Sequence, residues 1–92
     1  MDAIEHTLLA VMAADAGDTA AAQTHISTAR RQSRTTARRH RQVVEIATLI
    51  ISGHRTRAAG LALIHSAEFP DDCELLARVT SSHQSQPEER LP

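Results

Sequence analysis

The sequence predicts an all-α protein of about five short helices, packed as antiparallel hairpins. Three observations carry this. Gly and Pro are scarce, three of each in 92 residues, so few chain breaks are available. Phe69 is the sole Phe, Trp or Tyr, which leaves a core of Leu, Ile, Val and Ala, and Ala has the highest helix propensity. Apolar residues recur at three- and four-residue spacings, the mark of one buried helix face. The length allows one domain, and a chain this size buries only about 60–65% of its unfolded surface, so stability is expected to be modest.

The first helix is expected over 3–16, with Ile4, Leu8, Val11 and Met12 forming its stripe. Asp2 and Glu5 fit a capping box, and Gly17 fits the left-handed residue that ends a helix. Asp18 caps a second helix, 19–32, whose buried face is the small set Ala22, Ile26 and Ala29. A turn follows within 33–36, where Ser33, Thr35 and Thr36 could each cap the next helix. The third helix, 36–52, contains the most apolar stretch of the chain, Arg41–Ile51 (RQVVEIATLII). The C-terminal half of this helix is apolar nearly all round, so burial on more than one side is expected.

Gly53 ends the third helix. The fourth, 55–68, is read with Ala58, Leu61, Ala62 and Ile64 inward, and it stops before Pro70. Asp71 and Glu74 suggest a capping box for a fifth helix, 72–82, bearing Leu75, Leu76 and Val79. Residues 1–82 form the expected domain, and the polar, Pro-punctuated segment 83–92 is read as a loose tail.

Charge is arranged in three blocks. Residues 1–29 carry −4, residues 30–57 carry +7 and residues 58–92 carry −4, for a net charge of −1. Such a chain can neutralise itself on folding or pair with copies of itself. Every basic residue other than His is Arg, which fits a GC-rich, bacterial genome. The lone Cys73 allows no internal disulfide, the first residues are acidic where a signal peptide is basic, and no apolar run approaches ~20 residues. These features point to a cytoplasmic protein.

Gly17 and Gly53 stand thirty-six residues apart, each after an apolar helix and before an Ala-rich one, an internal repeat of helical hairpins. Gly17, Ala22, Ile26 and Ala29 in the first unit, and Gly53, Ala58 and Pro70 in the second, match a Gly–small–large–Ala–Pro spacing. On these residues the chain resembles the tetratricopeptide repeat (TPR) family over about 3–82. Arg34, Ala62 and His65 depart from its pattern. The resemblance implies a short repeat array with the fifth helix as a solvating cap. It also implies a protein-binding groove lined by Ile4, Thr7, Leu8, Val11, His40, Val43, Val44, Ala47, Ile50 and Ile51. Two repeats are few for a stable array, which suggests self-association into a homo-oligomer.

Arg30, Arg31, Arg34, Arg38, Arg39 and Arg41 form the densest charge in the chain, and Arg34, Arg38 and Arg41 have the spacing of one helix face. Cations in the first turns of a helix oppose its dipole, so the cluster is not arranged for helix stability alone. It is read as a basic rim that steers an acidic protein or peptide, or else as a solvated face. The alternative is a small regulator that binds nucleic acid or phosphorylated ligands through this cluster. Base-stacking aromatics and a DNA-binding motif are both lacking, which argues against nucleic acid.

The six His show no i, i+4 pair of the kind that binds zinc on a helix, although His54, His65 and Cys73 could meet near the fourth helix. His65 by itself reads as a satisfied core histidine. No paired nucleophile and base and no Gly-rich phosphate loop stand out. The expectation is therefore a non-enzymatic protein–protein interaction module of adaptor type, with no cofactor and no metal.

Overall fold

The structure of the protein, a computed structural model, describes residues 1–81; the expected tail at 83–92 and the last residue of the expected fifth helix lie outside the described residues. Five α-helices follow in order: α1 Ala3–Asp15, α2 Thr19–Ser33, α3 Arg38–Ile51, α4 Arg55–Glu68 and α5 Cys73–Ser81. A 3-10 turn, Pro70–Asp72, leads into α5. The all-α class and the hairpin order are as the sequence predicts.

Local chemistry fixes most boundaries. The Asp2 carboxylate accepts from Glu5 N, and the Glu5 carboxylate accepts from Asp2 N, both at 2.9 Å. The Asp18 carboxylate accepts from Ala21 N at 3.1 Å and so caps α2. Helices α1 and α3 end identically. Gly17 and Gly53 have φ of +85° and +86°, a conformation that costs little only in Gly. Asp18 N donates to Ala13 O, and His54 N to Leu49 O, each at 2.8 Å. Gly17 N and Gly53 N reach Ala14 O and Ile50 O, at 3.1 and 3.0 Å. These are paired Schellman turns, which satisfy the last carbonyls of each helix.

Two boundaries differ from expectation. Helix α3 begins at Arg38, and its cap, Ala37, offers no side-chain bond. The Ser33 hydroxyl donates to Arg30 O and the Thr36 hydroxyl to Ser33 O. They serve the orphan carbonyls at the end of α2, where the sequence suggested caps for α3. Asp71 lies inside the 3-10 turn, and α5 starts beyond it at Cys73.

Helix α3 is the centre of the packing. It touches α1, α2, α4 and α5, and Val43, Ile46 and Ala47 on it are completely shielded from solvent. Ala3, Ala10, Ala22 and Ala29 are buried in the α1–α2 hairpin, so these helices meet through small residues. Helix α5 lies on α1 and α3 and adds Leu76 and Val79 to the same core cluster.

That placement corrects the expected open groove. Thr7, Val11, Val43, Val44, Ala47 and Ile50 are buried within the chain, and Ile4, Leu8 and Ile51 pack half-buried against the core. His40 is half-buried. The Thr7 hydroxyl turns back to Ala3 O at 2.7 Å, so its burial leaves no donor unmatched. The high apolar count of α3 reflects contact with four helices. Met12, expected in the α1 stripe, is exposed.

Helix α4 packs through Ala58, Leu61, Ala62 and His65, an i, i+3, i+4, i+7 set. His65 thus takes the inward position expected of Ile64. Ile64 is 53% exposed and Leu63 74%. Gly60 is also on the outside of α4, and a Cβ added there would meet nothing within 4 Å. Gly inside a helix costs about 1 kcal/mol relative to Ala, and no contact within the chain requires it.

The packing predicts a sharp contrast. Ile46→Ala should lower unfolding free energy by about 2–5 kcal/mol, whereas Met12→Ala should stay within about 0.5 kcal/mol. Urea denaturation of the two variants measures both. Equal losses would contradict the central role of α3.

Candidate functional site

The six arginines of the middle segment divide into two groups. Arg38 and Arg39, on the first turn of α3, point to acids that arrive about thirty residues later. Arg38 pairs with Glu68 at 3.2 Å. Arg39 holds Asp72 in a two-pronged contact, Nε to Oδ2 at 2.7 Å and Nη2 to Oδ1. Both carboxylates therefore offset the charge of a helix N-terminus loaded with cations.

The other four go elsewhere. Arg30, Arg31 and Arg34 close α2, where cations favour the exposed carbonyl ends, and Arg41 faces them from α3. Arg34 caps α2 and Arg38 opens α3, so the expected shared face of Arg34, Arg38 and Arg41 does not form. Arg30, Arg31, Arg34 and Arg41 instead line one concavity of about 530 Å³, together with Ser33, Val44 and Glu45. Arg41 also donates to Thr36 O, which ties the concavity to the α2–α3 turn. Among the described residues, no ion pair joins these four guanidiniums to a carboxylate.

A second polar cluster is buried. His65 is fully shielded, and Asp72 is 3% exposed. The His65 ring bonds at both nitrogens, Nε2 to Asp72 Oδ2 and Nδ1 to Gln42 Oε1, each at 2.7 Å. The Gln42 amide is oriented from its other end, where Nε2 donates to Glu68 Oε1 at 2.8 Å. The Asp72 carboxylate and the Gln42 side chain thus hold the ring at both nitrogens. Phe69 lies against it, with ring centroids 4.9 Å apart. His65 is the satisfied core histidine that the sequence suggested.

The Asp–His pair was not legible from spacing, because Asp72 follows His65 by seven residues through a turn. It resembles a base with its orienting acid, but the ring has no nitrogen left for a substrate. Its evident role is to join α3, α4 and the 3-10 turn. The Arg39 guanidinium holds the Asp72 carboxyl at about 2, below its ordinary 3.8, with His65 adding to the effect and burial opposing it. Asp72 in turn raises Arg39.

His54 and Cys73 are exposed, so they do not gather around buried His65. His6 and His25 share an Nδ1–Nδ1 hydrogen bond of 3.0 Å across α1 and α2. Among the described residues, no three His, Cys, Asp or Glu side chains are placed to hold a metal. Likewise none of the described helices is long and apolar enough to cross a membrane. Comparison with protein-family models, with curated proteins and with solved structures returns no match.

The lowered Asp72 carboxyl makes stability pH-dependent. Its folded-state value lies below the unfolded one, so the contribution is complete above about pH 4 and is lost as pH falls through about 2. The loss should be on the order of 2 kcal/mol. Asp72→Asn should remove that acid step and cost about 2–4 kcal/mol at neutral pH. Urea midpoints measured from pH 5 to about 2 test this; an identical acid profile in Asp72→Asn would refute it.

Proposed function

We propose that this chain is a non-enzymatic protein-interaction module whose recognition surface is the arginine cleft between α2 and α3. Its partner presents an acidic segment. One observation carries this reading: four guanidiniums share a concavity in which, among the described residues, Glu45 is the single carboxylate. Gathering like charges is unfavourable unless something of opposite sign occupies the space between them. Carboxylates suit that role, because each guanidinium can hold one with two parallel N–H bonds. The cleft takes over the recognition that the sequence reading gave to an apolar groove, since α5 now fills the α1–α3 surface.

A TPR-like relationship remains part of the proposal. Its support is the pair of matching Schellman turns thirty-six residues apart and the packing of α2 on α3 between the hairpins. In that reading α5 stands where a third repeat would begin, but it turns onto α1 and α3. A nucleic-acid ligand is the lesser alternative. No aromatic side chain lines the cleft, and the chain carries no net positive charge.

The test uses the full chain and a fluorescent Asp/Glu-rich peptide, with an RNA and a DNA oligonucleotide of equal charge beside it. The triple substitution Arg30→Ala, Arg34→Ala and Arg41→Ala should weaken peptide binding at least about tenfold, or ~1.4 kcal/mol. Arg38→Ala should leave binding within about twofold, because that side chain is committed to Glu68. Binding should also weaken as salt rises. Peptide affinity that survives the triple substitution defeats the reading. Tighter binding to either oligonucleotide than to the peptide would favour the alternative.

A further inference from the structure

We infer that the acidic segment taken by the arginine cleft is an α-helix, laid along the α2–α3 trough with its carboxylates confined to one turn. This rests on the reading of the cleft as the site of an acidic partner, and it names the shape and charge pattern of that partner. The trough has the form of a helix seat. Ser27, Arg30, Arg31 and Arg34 recur at three- and four-residue spacings, so they make one stripe along α2. From Ser27 to Arg34 the stripe runs about 10 Å, two helical turns. Across from it, Arg41 and Glu45 stand one turn apart on α3. They also border a second hollow on the α4 side, with Gln42 and Leu61, so they form a ridge between two depressions. The trough therefore has a helix on each side, with buried Ser33 and Val44 beneath.

The donors are free and regularly spaced. Among the described residues, Arg30, Arg31 and Arg34 make no side-chain hydrogen bond or ion pair. Arg41 gives an Nη1 hydrogen to Thr36 O, and its other N–H groups are uncommitted. Arg30 and Arg34 lie one turn apart, with about 5–6 Å between their Cβ atoms, and i, i+4 carboxylates on a second helix have the same spacing. The main chain argues in the same direction. An extended peptide is held in a groove largely by backbone bonds to an open strand edge. Both walls here are α-helices, whose N–H and C=O groups are bonded internally, so the trough has no such edge. A helix arrives with its own backbone satisfied and needs only side-chain contacts.

Glu45 sets the charge pattern. Ser27 and Glu45 mark the end of the trough away from the α2–α3 turn, and Arg34 marks the end beside it. A segment acidic along its whole length would bring carboxylates against Glu45, and like charges repel. The partner's acids therefore gather over the arginines, and its adjoining turn meets Glu45 with an uncharged or basic residue.

Fluorescence anisotropy of the full chain with three labelled peptides tests this. The first is stapled into a helix, with Glu at i and i+4 in one turn and Gln in the next. The second has the same residues apart from a central Pro and carries no staple. The third is stapled and has Glu in both turns. The first peptide should bind at least about tenfold tighter than the Pro peptide. Glu45→Gln changes an exposed side chain. It should tighten the third peptide at least about threefold and leave the first within about twofold. A Pro peptide that binds as tightly as the first overturns the helical occupant while the acidic reading of the cleft survives. An equal response of both stapled peptides to Glu45→Gln overturns the charge pattern. If none of the three binds, the inference and the reading beneath it both fail.

Discussion

Helix α3 must be covered on four sides, and the rest of the fold follows from that constraint. Val43, Ile46 and Ala47 are wholly shielded because α1, α2, α4 and α5 each take part of its surface. A chain with one aromatic residue has few large side chains with which to build a core. It compensates by centring the core on one apolar helix and surrounding it with helices that approach through Ala. Small residues at the α1–α2 contact keep that hairpin thin enough for both of its helices to reach α3.

The same constraint creates the electrostatic pattern. The first turn of α3 carries several cations against its own dipole, which is unfavourable by itself. Covering α3 with α4 and the 3-10 turn brings Glu68 and Asp72 to Arg38 and Arg39. Asp72 then needs further donors because it is buried, and the His65 ring supplies one. The arginines at the end of α2 lie beyond reach of these acids and collect around the concavity. One run of charge in sequence thus becomes a structural lock on one side and, on the other, a cleft whose guanidiniums form no ion pair among the described residues.

What the sequence revealed and what it hid divide along the range of the interactions. The Asp2–Glu5 box, the cap at Asp18 and the turns at Gly17 and Gly53 depend on neighbours within five residues, and each was legible. So was the burial of His65, given its place near an apolar face. The direction taken by α5 depends on α1, some seventy residues away, and no local signal carried it. Val43, Val44, Ala47 and Ile50, expected to line an open groove, are buried within the chain by the helices around α3. Ile64 was misplaced because hydrophobicity alone favours it over His65. Only the distant oxygens of Gln42 and Asp72 make the His the better buried group. The division of the arginine cluster likewise rests on Glu68 and Asp72, which no spacing within residues 30–41 could disclose.

The way α5 is held has a kinetic side. The α1–α2 and α3–α4 hairpins close over short stretches of chain, whereas α5 is secured by contacts distant in sequence and by two fully or nearly buried apolar anchors, Leu76 and Val79. Few anchors mean a low free energy of local opening, so its backbone amides should exchange with solvent well before those of α3. Because α5 is covalently attached, it competes for the α1–α3 surface at an effective concentration on the order of millimolar. Any helix or peptide that reaches this surface must first outcompete the chain's own C-terminal helix.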